Sequence, residues 1–332
     1  MRCLVTGGAG FVGSNLVEKL VQLGHDVIVL DNLSTGRLSN LNKFISKITF
    51  CKVDITKKKK ILDNYFYKVD WVFHLAGLAD IVPSIENPEK YFNSNVVGTL
   101  NILEKSRKAK IKKFIYAASA SCYGIPIKYP TTEDSKIILE YPYALTKNLG
   151  ELLVMHWAKI YKMPNISLRF FNVYGPKSRT TGAYGAVFGV FLAQKLAKKP
   201  LTVVGNGKQT RDFIHVYDLV DAIILIAKKA KTNQVFNIAS GKETSVNKIA
   251  KIIGGEIINI PKRPGEPDRS LGSIKKLQKQ LKWSPNISID KGVRMMLDII
   301  ENWKDAPVWT PKKIKFATKI WFKYLKNDKN SK

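Results

Sequence analysis

The segment Thr6-Gly7-Gly8-Ala9-Gly10-Phe11-Val12-Gly13, directly after the apolar run Cys3-Leu4-Val5, constrains this chain more than any other feature. A short strand that feeds glycines at 7, 10 and 13 and then opens an amphipathic helix near Phe11 is the first unit of a wound α/β sheet. Glycines permit a tight turn and let backbone and helix N-terminus come close to an anionic group. The loop is expected to cradle a diphosphate.

The alternation continues along the chain. DVIVLD, ITFCKVD, WVFHLAG, KFIYAAS and ISLRFFNVYG read as strands, which makes six strands by Tyr174. Between them lie a helix led by the lysine run 57–60, one from about Tyr91 to Ala109, and one from about Tyr143 to Tyr161. The pattern predicts an α/β fold built on a doubly wound parallel sheet, the Rossmann arrangement. After Gly175-Pro176 the texture turns to a helix over Gly182 to Leu196, a strand LTVVG, and RDFIHVYD leading another helix. A smaller, interleaved C-terminal substrate domain is expected. Its boundary is placed near residue 175, giving 1–175 and 176–332, with about 211–239 returning to the sheet.

Composition narrows the setting. Three cysteines without metal or disulfide spacing suit buried thiols in a reducing compartment, so a cytoplasmic protein with no metal is expected. No apolar run is long enough to span a bilayer, and with a first strand at Arg2 no signal peptide is expected. The formal charge of +29 is spread over scattered lysines with no nucleic-acid module, so nucleic acid is not expected as a partner. A positive potential of this kind also attracts small dianions such as a nucleotide diphosphate.

Asp31 closes the second strand, where a carboxylate accepts both hydroxyls of an adenosine ribose and repels a 2'-phosphate, favouring NAD over NADP. Tyr143 and Lys147 stand four apart on one helix face, a spacing that suits a general base, with the ammonium expected to bring the phenol toward neutral pH. Ser119 ends the fifth strand, where ligands bind in doubly wound sheets. Each residue has a plainer reading alone: Asp31 capping a turn, Tyr143 packing, Ser119 and Ser121 bonding loop backbone.

Together with Val53-Asp54, His74-Leu75-Ala76-Gly77, Asn95 to Asn101 and Arg169 to Pro176, these stretches resemble an extended short-chain dehydrogenase/reductase. More narrowly, the chain is similar to the NAD-dependent epimerase/dehydratase family over about residues 1–305. The resemblance implies that Gly7, Gly10, Phe11, Val12, Gly13, Asp31 and Asn32 hold the cofactor NAD, along with Asp54, Ile55, Leu75, Ala76, Gly77 and Asn95. It implies a catalytic triad of Ser119, Tyr143 and Lys147, the last two also touching the cofactor. A nucleotide-sugar substrate would meet Ser119, Ser121, Tyr143, Asn172, Arg211, Arg263, Glu266 and Ser270. His74 is expected to be structural.

By the same resemblance, Tyr143 would take the proton of the sugar's 4-hydroxyl while NAD takes hydride from C4. Relatives that eliminate water or lose a carboxylate carry an acid one or two places after the catalytic hydroxyl; here Ala120 and Ser121 stand there. That favours a 4-epimerase with recycled NAD over a 4,6-dehydratase or decarboxylase, with a non-catalytic NAD-binding sensor or scaffold as the rival from another class. A small residue at Ser270, where hexose-restricted 4-epimerases place a tyrosine, would leave space for an N-acetyl group. A lysine near the sugar in some hexose epimerases maps to Ala79. The resemblance also implies a homodimer formed through the helices near 91–109 and 143–161. The basic, aromatic tail from Trp303 is expected to pack on the body, or alternatively to touch an anionic membrane surface.

Overall fold

The computed structural model describes residues 1–57, 62–178 and 186–325. Seven strands form one sheet: β1 (Arg2–Thr6), β2 (Asp26–Asp31), β3 (Ile48–Lys52), β4 (Trp71–His74), β5 (Lys113–Ser119), β6 (Asn165–Phe170) and β7 (Gln234–Ile238). Their order is β7-β6-β5-β4-β1-β2-β3, every neighbour parallel. The central strands are buried on both faces, as their near-continuous apolar runs require once helices cover each side.

Helix α1 (Phe11–Gln22) follows β1, α2 (Ile81–Glu86) follows β4, α3 (Pro142–Tyr161) lies between β5 and β6, and α4 (Lys319–Tyr324) stands near the end of the described chain. Pro142 at the first helical position starts α3, where its missing N–H costs nothing. One face of the sheet packs Val5, Val29, Phe73 and Leu168 against Leu16 and Leu20 of α1 and the apolar side of the helix at Val216–Lys229. The other face packs Leu4, Ile28, Val72 and Phe114 against Ile102, Leu103 and Val154. A separate core joins Phe188, Phe191, Leu201, Val203, Ile249, Val293, Met296 and Trp303.

The sixth predicted strand is two strands. After Phe170 the chain leaves the main sheet at Phe171, whose N–H donates to the Ile238 carbonyl, and Asn172–Tyr174 pairs instead with Phe213–His215. The run ISLRFFNVYG carries no mark of that switch. The predicted helix near 91–109 runs as Pro88–Phe92, a wider turn at Asn93–Val97, and Gly98–Lys108. The helix expected over 182–196 is observed at Val187–Leu196; positions 182–185 and Lys58–Lys60 lie outside the described residues. No helix among the described residues is long and apolar enough to cross a membrane.

Candidate active site

The carboxyl ends of β1, β2, β4, β5 and β6 open into one cavity of about 1270 Å³. Its first wall is the glycine loop. Gly7 sits at φ +70 and its N–H donates to the Leu30 carbonyl at 2.8 Å. A Cβ on Gly13 would stand 2.1 Å from the Gly7 oxygen, and one on Gly7 would stand 2.7 Å from the Ala76 nitrogen. Larger residues at either place would therefore break the close packing of loop, helix and β4. No side chain caps α1 at Gly10, so the first-turn amides of Phe11, Val12 and Gly13 keep their donor capacity beside the cavity. Anions are favoured at such an end.

Asp31 borders the same space, 7 % exposed, with Oδ2 accepting from the Ala9 N–H at 2.9 Å and Oδ1 from the Leu33 N–H at 2.8 Å. It does cap its turn, in keeping with its plainer role, while still facing the cavity. Burial raises its pKa and the two backbone bonds oppose that. Asn32, Asp54 and Ile55 continue this wall, and Asp54 Oδ1 holds its own turn through the N–H and hydroxyl of Thr56. Leu75, Ala76 and Gly77 expose backbone to the cavity, anchored by Leu75 N–H to Thr6 O and Ala76 N–H to Thr6 Oγ1.

His74 lies behind them, fully buried, with Nδ1 and Nε2 bonded to the hydroxyls of Thr6 and Thr99 at 2.7 and 2.9 Å. Burial, helped by the nearby Lys147 charge, pushes its pKa down to about 3, so it is a neutral strut between β1, β4 and the helix at Gly98–Lys108.

Ser119, Tyr143 and Lys147 all reach the cavity. Ser119 Oγ accepts from the Ser121 N–H at 3.2 Å, which fixes the end of β5. Tyr143 lies parallel to Tyr141, centroids 6.4 Å apart, and edge-on to Tyr91. The Lys147 ammonium sits over the Tyr116 ring, 4.7 Å from its centroid. The expectation that Lys147 lowers the Tyr143 pKa requires correction. Burial raises the Tyr143 pKa, with the Asp80 charge adding to the rise and the Ser119 and Ser121 hydroxyls drawing it back. Burial brings Lys147 down to about 8, against the pull of the Glu151 carboxylate. Spacing on a helix face does not reveal that both groups are desolvated.

Across the cavity stand Asn172, Arg211, Arg263 and Glu266. Arg211 Nη2 donates to Glu266 Oε1 at 3.0 Å, and Arg263 reaches both oxygens of the same carboxylate at 2.9 and 3.1 Å. Two guanidinium groups sharing one carboxylate leave this wall positive.

Three predicted residues do not line the cavity. Asn95 is 1 % exposed and its amide is consumed by both backbone groups of Leu78 and by Thr146 Oγ1, so it shapes the loop after β4. Ser121 has a buried hydroxyl behind Tyr143. Ser270 stands beside the cavity, its N–H donating to the Thr210 carbonyl. Two kinds of lining residue were missed. Asp80 brings a carboxylate to the cavity from the loop after β4, and Trp309 and Trp321 come from the tail. The tail's aromatics were visible in the sequence, but nothing local tied them to the site.

The family model for the NAD dependent epimerase/dehydratase family matches residues 3–239. A UDP-glucose 4-epimerase of Mycolicibacterium smegmatis is 33% identical over 91% of this chain and 99% of its own length. UDP-glucuronic acid decarboxylase 1 of Arabidopsis thaliana is 32% identical over 91% of this chain and 70% of its own. Among solved structures, an epimerase from Methanothermobacter thermautotrophicus superposes with a TM-score of 0.86 at 34% identity, covering 93% of this chain and 96% of that one. This chain belongs to the NAD-dependent epimerase/dehydratase family, and NAD is its cofactor.

Proposed function

We propose that this member of the family is a nucleotide-sugar 4-epimerase that acts on a UDP-hexose or UDP-N-acetylhexosamine. The observation that carries the reading is the meeting, in one cavity, of the glycine loop and Asp31 with Ser119, Tyr143 and Lys147 on one side and Arg211 and Arg263 on the other. The glycine-loop amides, Asp31 and the 75–77 backbone would hold NAD, which supplies the hydride acceptor and donor. The remaining work falls to the chain. Tyr143 takes the proton from the sugar's 4-hydroxyl, Ser119 aligns that hydroxyl, and Lys147 accepts or returns a proton beside the phenol. Arg211, Arg263 and Asn172 hold the diphosphate, so the sugar can turn within the cavity while its nucleotide stays fixed.

Support comes from relatives named as UDP-glucose 4-epimerases and from Ala120 and Ser121, neither of which supplies an acid beside Ser119. Ala79 lines the cavity where some hexose epimerases carry a lysine. Asp80 favours a second reading. Its carboxylate enters the cavity by another route, and relatives named as UDP-glucuronic acid decarboxylases also match, so a decarboxylase or 4,6-dehydratase is the alternative. The test is incubation with UDP-, GDP- and dTDP-sugars without added cofactor, followed by NMR of the products. Inversion at C4 is expected; a dehydrated or decarboxylated sugar as the main product overturns the epimerase. A homodimer is part of the proposal, supported by Leu145, Leu152 and Ile160, which leave an apolar strip exposed along α3. Light scattering checks it.

A further inference from the structure

Residues 303–325 are built into the second core and then return to the cavity mouth. Trp303 and Ile314 are buried with that core. The Trp309 carbonyl accepts a 2.7 Å bond from Gln194 Nε2, while the same fully buried amide donates to Thr202 Oγ1 and accepts from the Thr202 N–H. Thr202 lines the cavity, so the start of the tail is tied to its wall. After the helix at Pro311–Ala317 the chain reaches α4, which packs against α2 on the glycine-loop side, while Leu325 lies against Gly265 on the opposite side. One short helix thus touches both banks of the cleft.

Trp321 is the inward residue of α4. It is 4 % exposed, lines the cavity, and donates its indole N–H to the Pro264 carbonyl at 2.6 Å. The Arg263 guanidinium lies over its ring, 5.3 Å from the centroid, with Glu266 holding the same guanidinium from another direction. An arginine carries large rotamer freedom, and an aromatic face removes much of it before a ligand arrives.

We infer that Trp321 is a positioning residue for Arg263, and that the tail through it sets affinity for the diphosphate of a nucleoside diphosphate or its sugar. The inference rests on the nucleotide-sugar reading for the identity of the ligand, and on the geometry alone for the coupling. With Arg211 and Arg263 sharing Glu266, the ligand must compete for guanidinium donors already in place. Losing the indole lets Arg263 leave that position, so the ligand has to order it again.

The experiment is calorimetric titration of UDP, GDP and dTDP into the wild type, Trp321→Phe, Trp321→Ala, Arg263→Gln and the double variant Arg263→Gln/Trp321→Ala. Trp321→Ala is expected to weaken the best-bound nucleoside diphosphate about tenfold, from one lost cation–π contact and one lost hydrogen bond. In the Arg263→Gln background it should change affinity by less than about twofold, because coupled residues are not additive. With nucleotide sugar, KM should rise while kcat stays within about twofold. Unchanged affinity in Trp321→Ala, or full additivity in the double variant, overturns the inference. Should Trp321→Ala melt the tail, Trp321→Phe keeps an aromatic face while losing the pyrrole ring with its N–H; about a threefold loss, absent in the Arg263→Gln background, is the expected result and no loss overturns it. A wild type that binds none of the three nucleotides overturns the nucleotide-sugar reading instead. The same variants are then titrated with inorganic pyrophosphate, and equal affinity for wild type and Trp321→Ala overturns the coupling.

Discussion

Replacing Lys147 with methionine should abolish turnover and stabilise the protein. Lys147 is 7 % exposed, and burial lowers its pKa from 10.5 to about 8. The folded state therefore disfavours the charged form. Below about pH 8 the lysine is protonated in both folded and unfolded chains, and the full cost of burying charge is present. Between about 8 and 10.5 the unfolded chain binds a proton that the folded chain does not, so stability rises with pH; above 10.5 the cost is gone. At about 1.4 kcal/mol per pH unit the cost at neutral pH is about 3 kcal/mol. For a chain of this size, whose unfolding entropy scales with length, that corresponds to a shift of about 4 °C in Tm. Methionine keeps most of the aliphatic stem and removes the charge. NAD-free Lys147→Met should melt about 4 °C above the wild type at pH 7. The gap should close as the pH approaches 10, and no sugar should be turned over. Scanning calorimetry from pH 6 to pH 10 reads the first two outcomes and product NMR the third. A variant that melts at or below the wild type at pH 7, or a gap that does not shrink with pH, refutes the reasoning.

Tyr143→Phe should lose about 10²- to 10⁴-fold in kcat while retaining NAD, read as nucleotide released on denaturation; wild-type turnover would remove Tyr143 from the role of base. Gly13→Ala would put a methyl 2.1 Å from the Gly7 oxygen. It should purify without NAD and lose about 2 kcal/mol or more of stability in urea unfolding, and full NAD retention would contradict the cradle. Asp80→Asn should keep C4 inversion and, because the Asp80 charge raises the Tyr143 pKa, move the rise in kcat/KM to lower pH. Loss of all product formation in this variant would instead mark Asp80 as the acid of a dehydratase or decarboxylase.

The parallel sheet was legible because its strands are buried on both faces and so read as short apolar runs, each closed by a residue with a local reason to be there: Thr6, Asp31, His74, Ser119. Gly7 and Gly13 were legible because only glycine fits between a loop oxygen and a helix backbone. What escaped depends on distance along the chain. Trp321 meets Arg263 from 58 positions away, and nothing in the pattern around either residue refers to the other. Asn95, expected at the cofactor, also holds both backbone groups of Leu78, a long-range contact that its motif does not announce. The break at Phe171 is set by what Ile238 and Phe213 offer on either side, which is tertiary information.

The shifted pKa values on the reactive wall share one cause. Tyr143 is raised, Lys147 lowered to about 8 and His74 lowered to about 3, each chiefly by burial, so this wall favours neutral groups. On the opposite wall Arg211 and Arg263 both pair with the Glu266 carboxylate. Lys147 gives up its proton near pH 8, so turnover that needs its free amine should rise through that pH. Tyr143 and Lys147 thus share a helix face and a desolvated wall, and burial moves the pKa of each toward its neutral form.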